Sequence, residues 1–547
     1  MRAIALVALA SVALACGDRA VSPPPEPLDA ETCRAFAGRA TFEESITVAE
    51  WLASSVEPGQ GSLPDHCRLR GLLDYRVGRG GIRYAIGFEL RMPAVWNRRF
   101  YFQGGFGTDG TVDAAVGGLV GRGSALSLGY AVVSTDAGHG GLGPEFGIDP
   151  QARIDYGYRA IDRVTRRAKE LIAVAYGSAP QRSYFVGCSN GGRQGFVAAQ
   201  RFPDFFDGIV AGAPGFNLPK AAIAEAWNTQ AVAAIATGVD RNGHPFLADT
   251  FSDEDLSLLS NAVLGACDAN DGLADGIVDD LPGCRFDPAV LTCPSGEKAP
   301  TCLSAPQVAA LKKIFAGPTD SRGAPLYSNF PYDGGIGDPS PIGSLRGWTL
   351  GNPRAPVNSA LNVTLGAGAL AFIFVTPPVD DVPPLDFVLR FDFDRDAPKI
   401  FATSGDYAPS SMDFMSAAST DLSAFRRRGG KLLVYHGASD GVFSVNDTIR
   451  WYEGVNVASD GRAADFARLF VVPGMGHCLG GPATDRFDAL TAVVDWVENG
   501  VVPERIVATA SPASPFPDRS RPLCPYPLQS RYSGAGSIES AASFACR

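Results

Sequence analysis

The stretch from Tyr184 to Phe196, YFVGCSNGGRQGF, constrains the fold more than any other in this 547-residue chain. Apolar and aromatic residues run into Gly187-Cys188-Ser189-Asn190-Gly191, and residues compatible with a helix follow. A Gly-x-Ser-x-Gly pentapeptide at a strand–helix corner needs a sharp turn and close helix packing, both of which glycine permits. Such a turn lifts the serine hydroxyl to the top of a sheet. Alone, the pattern also describes a packing turn with an incidental serine. The strand before it and the helix after it favour a nucleophile, with Ser189 as the attacking group.

The neighbouring sequence supports that setting. RFYFQGGFG (99–107) reads as a strand ending in glycines and YAVVSTDAGH (130–139) as a buried strand. YGYRAIDRVTRRAKELIAVAYG (156–177) has helical spacing and closes on Gly177, and FDGIVAGAPG (206–215) is another strand. Alternation of this kind implies a mostly parallel sheet with helices on both faces. From about 217 to 415 the pattern breaks into Gly-, Pro-, Asp- and Ser-rich sequence with modest helices such as SDEDLSLLSNAVLGAC (252–267). It resumes with the strands GGKLLVYHGASD (429–440) and ARLFVVPGMGH (467–477) and the helix RFDALTAVVDWVENG (486–500). The reading is one α/β domain in two parts, 31–216 and 416–547, interrupted by a lid at 217–415. Insertions at the carboxyl ends of strands sit over the place where such sheets bind ligands.

The amino terminus reads as a targeting segment. Met1-Arg2, the apolar run AIALVALASVALA and Cys16 form a secretory signal at 1–15, too short for a membrane span. Ala13-Leu14-Ala15-Cys16 is similar to a bacterial lipobox, so Cys16 is a candidate lipid anchor, with plain cleavage nearby as the alternative. Residues 16–30 are a Pro-rich tether. Export of a bacterial protein, to the periplasm, the outer membrane as a lipoprotein, or the medium, is the expectation. Ten cysteines besides Cys16 suit an oxidising compartment. Cys33/Cys67, Cys267/Cys284, Cys293/Cys302 and Cys524/Cys546 fall into local pairs and Cys188 and Cys478 are left over, although sequence does not fix connectivity. A net charge of −11 with no basic block argues against nucleic acid as a partner. A monomer acting on a small molecule is expected.

A serine nucleophile needs a base, and the base an orienting acid, in the chain order Ser, Asp, His at the ends of later strands. Asp440 and His477 each follow an apolar strand and match that order, with Asp136 and Asp447 as weaker acids. Of the five histidines, His66 and His244 read as structural, His436 as a packed neighbour, and His139 precedes the serine. Oxyanion donors are expected from the amide of Asn190 and from QGGFGTDG (103–110), where Gly105 and Gly107 compete and Phe106 is a substrate-contact candidate. Between Cys267 and Cys284, Asp268, Asp271 and Asp275 crowd a glycine-rich turn. Either the loop is merely solvated, or a calcium ion takes these carboxylates and the carbonyls of Leu273 and Ile277.

Taken together, these pieces resemble the tannase and feruloyl esterase family over nearly the whole chain after the tether. The resemblance implies an α/β-hydrolase fold with a large inserted lid domain and an exported serine carboxylesterase that hydrolyses esters of aromatic acids of feruloyl, galloyl or terephthaloyl type. It implies a Cys188–Cys478 disulfide beside Ser189 and His477, and it favours Gly107 over Gly105. It supports calcium at Asp268, Asp271, Leu273, Asp275 and Ile277, and places Trp348 and Phe443 as aromatic pocket walls. A family member acting on a terephthalate monoester grips the free carboxylate with a lid arginine. The matching stretch, VNSALNVTLGAGA (357–369), has none, and Leu361 or Asn362 falls at that place. Weak activity on such a monoester is therefore expected, unless Arg346 or Arg354 compensates. The alternative reading is a non-catalytic exported binding protein that keeps the hydrolase fold.

Overall fold

The computed structural model describes residues 26–39, 44–57, 61–119, 123–340 and 344–547. The signal segment, Cys16 and most of the tether lie outside the described residues.

Nine strands form the large sheet: β1 (Glu44–Leu52), β2 (His66–Val77), β3 (Arg83–Pro93), β4 (Arg99–Gln103), β5 (Ala131–Thr135), β6 (Arg182–Cys188), β7 (Gly208–Gly212), β8 (Lys431–Gly437) and β9 (Ala467–Val472). Their spatial order is β1-β2-β3-β5-β4-β6-β7-β8-β9. The first three pairings are antiparallel, and every pairing from β5 to β9 is parallel. The expectation of a mostly parallel sheet holds for the half that carries the motifs. The β1–β3 meander extends the other edge.

The period-two alternation of the strands sorts side chains into two cores. Phe185, Ile209, Leu432 and Val434 face a core with α1 (Ala160–Tyr176) and α2 (Asn190–Arg201). Tyr184, Val210, Leu433 and Phe470 face the opposite one. Each strand buried on both faces must be apolar at nearly every position, which is why these segments read as continuous hydrophobic runs. Helix α1 buries Val164, Ala168, Leu171 and Ile172, spaced at three, four and seven, and ends where Gly177 turns left-handed.

Among the described residues, the chain between β7 and β8 contributes no strand to this sheet. It begins with α3 (Leu218–Ala233) and continues through α4 (Asp253–Cys267), capped by Ser252 and Asp255, and α5 (Ala305–Ala316), capped by Ser304 and Gln307. Its own core joins Leu259, Val263, Leu311 and Trp348 to Val442 and Phe443, which follow β8. The insertion is thus packed onto the loops at the carboxyl end of the sheet. After β8 the chain forms α6 (Val445–Ala458), and after β9 it forms α7 (Ala489–Asn499).

Candidate active site

Strands β6, β8 and β9 deliver Ser189, Asp440 and His477 to the same end of the sheet. Ser189 follows the last residue of β6 and caps α2 with φ 64° and ψ −124°. That conformation is costly for a residue with a side chain and persists only where surroundings enforce it. Here the enforcement is backbone contact. A Cβ on Gly187 would lie 2.7 Å from the Gly191 carbonyl, and one on Gly191 would lie 2.6 Å from the Gly105 oxygen. The Ser189 amide also donates to the Gly212 carbonyl of β7 at 3.0 Å.

His477 Nδ1 lies 2.8 Å from Asp440 Oδ2, and His477 Nε2 is buried without a hydrogen-bond partner. The Asp440 Oδ1 accepts the amides of Val442 and Phe443 at 2.9 and 3.0 Å. Burial alone would raise the Asp440 carboxyl. The charge of His477 and the hydrogen bonds from His436 and His477 outweigh it and hold the group below the ordinary carboxylate range. His436 is the buried neighbour expected, with Nε2 at 3.2 Å from Asp440 Oδ2. The His477 ring meets Trp348 and Phe443 edge to face, at centroid distances of 5.1 and 5.3 Å.

Cys188 and Cys478 are bonded, joining the residue before Ser189 to the residue after His477 across 290 positions. The four local pairs, Cys33–Cys67, Cys267–Cys284, Cys293–Cys302 and Cys524–Cys546, are disulfides as well. The other histidines and acids take structural places. His66 Nδ1 meets the Pro64 carbonyl, His139 stacks on Phe146, and His244 lies near Asp240 and Asp386. Asp136 accepts the Gly87 amide and Asp447 the Asn217 side chain.

The two expected oxyanion donors are free of protein acceptors. The Asn190 amide is the first of α2, where no intrahelical partner exists. Gly107, at φ 53°, accepts the Tyr156 hydroxyl on its carbonyl and donates its amide to no described residue. Gly105 is ruled out as a donor, because its amide is taken by Gln194 at 2.9 Å. A buried network fixes both loops from below. Asp109 accepts Asn190 Nδ2, Gln194 Nε2 and the Phe106 amide, while Arg193 Nε donates to Asn190 Oδ1. Burial pushes the Asp109 carboxyl up to about 7, against the lowering effect of Arg193 and Asn190.

Sequence reading overlooked Asp109 although it lies inside the quoted glycine loop, as well as Gln194 and Arg193. It also overlooked Asp333. That buried side chain, from the insertion, accepts the Ser439 hydroxyl and the Gly474 amide and so braces the loops of Asp440 and His477. No spacing rule signals a carboxylate more than a hundred residues from both partners.

A pocket of about 460 Å3, open solvent at its mouth included, has Ser189, Gly107 and Asn190 in its wall along with Trp348 and Phe443. The insertion supplies Leu218, Ala222 and Glu225 from α3 and Leu365, Gly366, Ala369 and Phe374 from later turns. Phe106, Leu361 and Asn362 are not among its lining residues. Phe106 is about half exposed, Leu361 packs in the insertion core, and Asn362 is buried against Thr349. Among the described residues, no arginine or lysine lines the pocket. Arg346 is buried on the carbonyls of Ala248 and Phe251 and pairs with Asp253, and Arg354 is exposed.

The acidic loop closed by Cys267–Cys284 has an all-oxygen donor set that suits a hard cation. Burial and the charges of Asp275 and Asp268 push the Asp271 carboxyl up to about 6, and Asp279, missed from sequence, is raised well above its ordinary value by burial and by Asp271 and Asp275. The side chains are turned to backbone amides, Asp268 to those of Asp275 and Gly276, Asp271 to that of Leu273, and Asp275 to that of Ile277. Asp275 also pairs with Arg521. Among the described residues, no group of three or more His, Cys, Asp or Glu is arranged to hold a metal ion. The donor chemistry fits calcium, since a carboxylate that accepts one amide keeps further lone pairs for an ion.

Residues 78–547 match the family model described as tannase and feruloyl esterase. The chain is 47% identical over 533 residues to the mono(2-hydroxyethyl) terephthalate hydrolase of Piscinibacter sakaiensis, covering 92% of this chain and 88% of that one. It is 32% identical to a probable feruloyl esterase of Arthroderma benhamiae, over 84% and 81% of the two chains. The solved structure of feruloyl esterase B from Aspergillus oryzae superposes with a TM-score of 0.76 at 25% identity, covering 95% of this chain and all of the other. Strand order, serine turn and these likenesses define an α/β-hydrolase that cleaves carboxylic esters. The chain belongs to the tannase and feruloyl esterase family.

Proposed function

We propose that this protein is an exported serine esterase that hydrolyses esters of aromatic acids through an acyl-enzyme. The observation that carries the reading is the buried, unpartnered His477 Nε2, whose other nitrogen is held by Asp440 and whose chain neighbour is bonded to the neighbour of Ser189. Ser189 Oγ attacks the ester carbonyl carbon while His477 Nε2 takes its proton. Asp440 holds the Nδ1–H and stabilises the imidazolium. The amides of Gly107 and Asn190 receive the negative charge on the carbonyl oxygen. Collapse breaks the ester C–O bond, and His477 returns the proton to the leaving alcohol. Water, deprotonated by His477, then attacks the acyl carbon, releasing the acid and restoring Ser189. A serine-reactive phosphonate is expected to label Ser189 in folded protein, read by peptide mass spectrometry. A folded sample with no adduct at Ser189 would sink this mechanism.

Aromatic walls at Trp348, Phe443 and Phe374 support an aromatic acyl group, as do relatives named for feruloyl and terephthaloyl esters. A pocket without arginine or lysine supports weak turnover of a terephthalate monoester, since no described residue in its wall carries a positive charge to neutralise a second carboxylate. Five disulfides and the apolar amino-terminal run support export.

Structural calcium in the insertion loop belongs to the same proposal, held by Asp268, Asp271 and Asp275 with the carbonyls of Leu273 and Ile277. The ion relieves their mutual repulsion and takes no part in the ester chemistry. Thorough chelation should lower the Tm in calorimetry while calcium restores it. An unchanged Tm would count against the site.

A further inference from the structure

One titratable side chain in the pocket has no role in the chemistry above. Glu225 projects from α3 and is 6% exposed, yet its carboxyl has no hydrogen-bond or ionic partner among the described residues, and burial alone acts on its ionisation. It belongs to the pocket wall. Its space is reserved by the opposite segment. A Cβ on Gly366 would lie 1.7 Å from Glu225 Oε2, so any other residue at 366 would displace the carboxyl. A carboxyl set in a largely apolar wall with no protein partner is costly unless water or a ligand completes it.

The pocket holds Ser189 and both oxyanion donors but not His477. The acyl carbon is bonded to Ser189 and its oxygen lies on those donors, whereas the alcohol leaves by way of His477. The pocket therefore takes the acyl half of the ester. Apart from Thr108 and the groups around Ser189, its other walls are apolar or aromatic, among them Ala222, Leu365, Ala369 and Phe374.

Resting on the esterase reading above, we infer that Glu225 is a specificity residue whose carboxyl hydrogen-bonds a phenolic hydroxyl on the acyl ring. Burial pushes the Glu225 carboxyl up to about 8, so at neutral pH it is an O–H donor as well as an acceptor, matching a phenol in both directions. A site built around such a bond discriminates against the ring that lacks the hydroxyl, because the buried group is then left unpaired.

The test is the ratio of kcat/KM for the methyl esters of 3- and 4-hydroxybenzoate to that for methyl benzoate. Glu225→Ala should reduce the larger ratio about tenfold, the size of one hydrogen bond. Glu225→Gln, close in shape and still able to donate and accept, should retain most of it. A purely structural role would lower all three rates together and leave the ratio unmoved, and an unmoved ratio overturns the inference. The same esters are titrated calorimetrically against Ser189→Ala, with and without Glu225→Ala. Preferential binding of the hydroxylated esters that disappears with Glu225 supports the inference even if the intact protein turns over no ester, an outcome that would defeat only the esterase reading. Equal binding of hydroxylated and unsubstituted esters overturns the inference whatever the catalytic result.

Discussion

The two sides of the pocket are built by different means. The floor, at the ends of β6, β8 and β9, is held by redundant constraints. Glycine backbones interlock around Ser189, a disulfide ties the serine turn to the histidine loop, and Asp109 and Asp333 fasten the flanking loops. The roof comes from α3 and from π-helical turns at Arg346–Leu350, Asn362–Ala367 and Ala369–Phe374. It meets substrate space with apolar side chains and one unpartnered carboxyl. Small misplacements on the floor would cost much of the rate, because nucleophile and base must meet at near-bonding distance. The roof can change side chains without moving the chemistry, and selectivity therefore resides there.

Three experiments break or sharpen this contrast. The largest effect belongs to the floor: Ser189→Ala should lower kcat by about 10^4- to 10^6-fold while the Tm stays near that of the wild type, measured with a nitrophenyl ester and by calorimetry. A residual rate within tenfold of wild type would place the nucleophile elsewhere. Next comes the brace. Replacing both Cys188 and Cys478 by alanine should cost about 2–5 kcal/mol of stability, in keeping with disulfide removal generally. It should also cut kcat by about 100-fold through misplacement. Full activity in folded double-variant protein would show that the bridge only stabilises. The smallest effect belongs to the roof. Free glutamate titrates near 4.5, and buried Glu225 near 8. Between those values the folded state binds the extra proton, so stability falls as pH rises. Glu225→Gln lacks that proton, so its stability relative to wild type should climb between about pH 5 and about pH 8, by at most about 1.4 kcal/mol per pH unit. A pH-independent difference in urea midpoints would show that this burial carries no ionisation penalty.

Much of the floor was legible in the chain because its signals are local. Glycines flank Ser189 within five residues, and Asp440 and His477 each follow an apolar strand in the order the fold demands. The four short-range cysteine pairs are neighbours in sequence. The roof was not legible. Glu225 lies in α3, which is buried nearly all round, so no amphipathic period marks which side its carboxyl takes. Leu361 and Asn362 fall at the place the family resemblance marks, yet Leu365, Gly366 and Ala369, about one to two turns later, reach the pocket. Asp333, and Asp109 in its bonds to Asn190 and Gln194, act through partners far along the chain.

By itself the sequence determined the strands and helices of the sheet, the serine turn and the candidates to accompany that serine, because each depends on backbone preferences and hydrophobic period over a few residues. Only the tertiary structure decided which amide of the glycine loop is free, which carboxylates brace the site, and which face of the insertion meets the substrate. Those outcomes turn on burial and on partners brought together across as many as 290 positions, which no local pattern encodes.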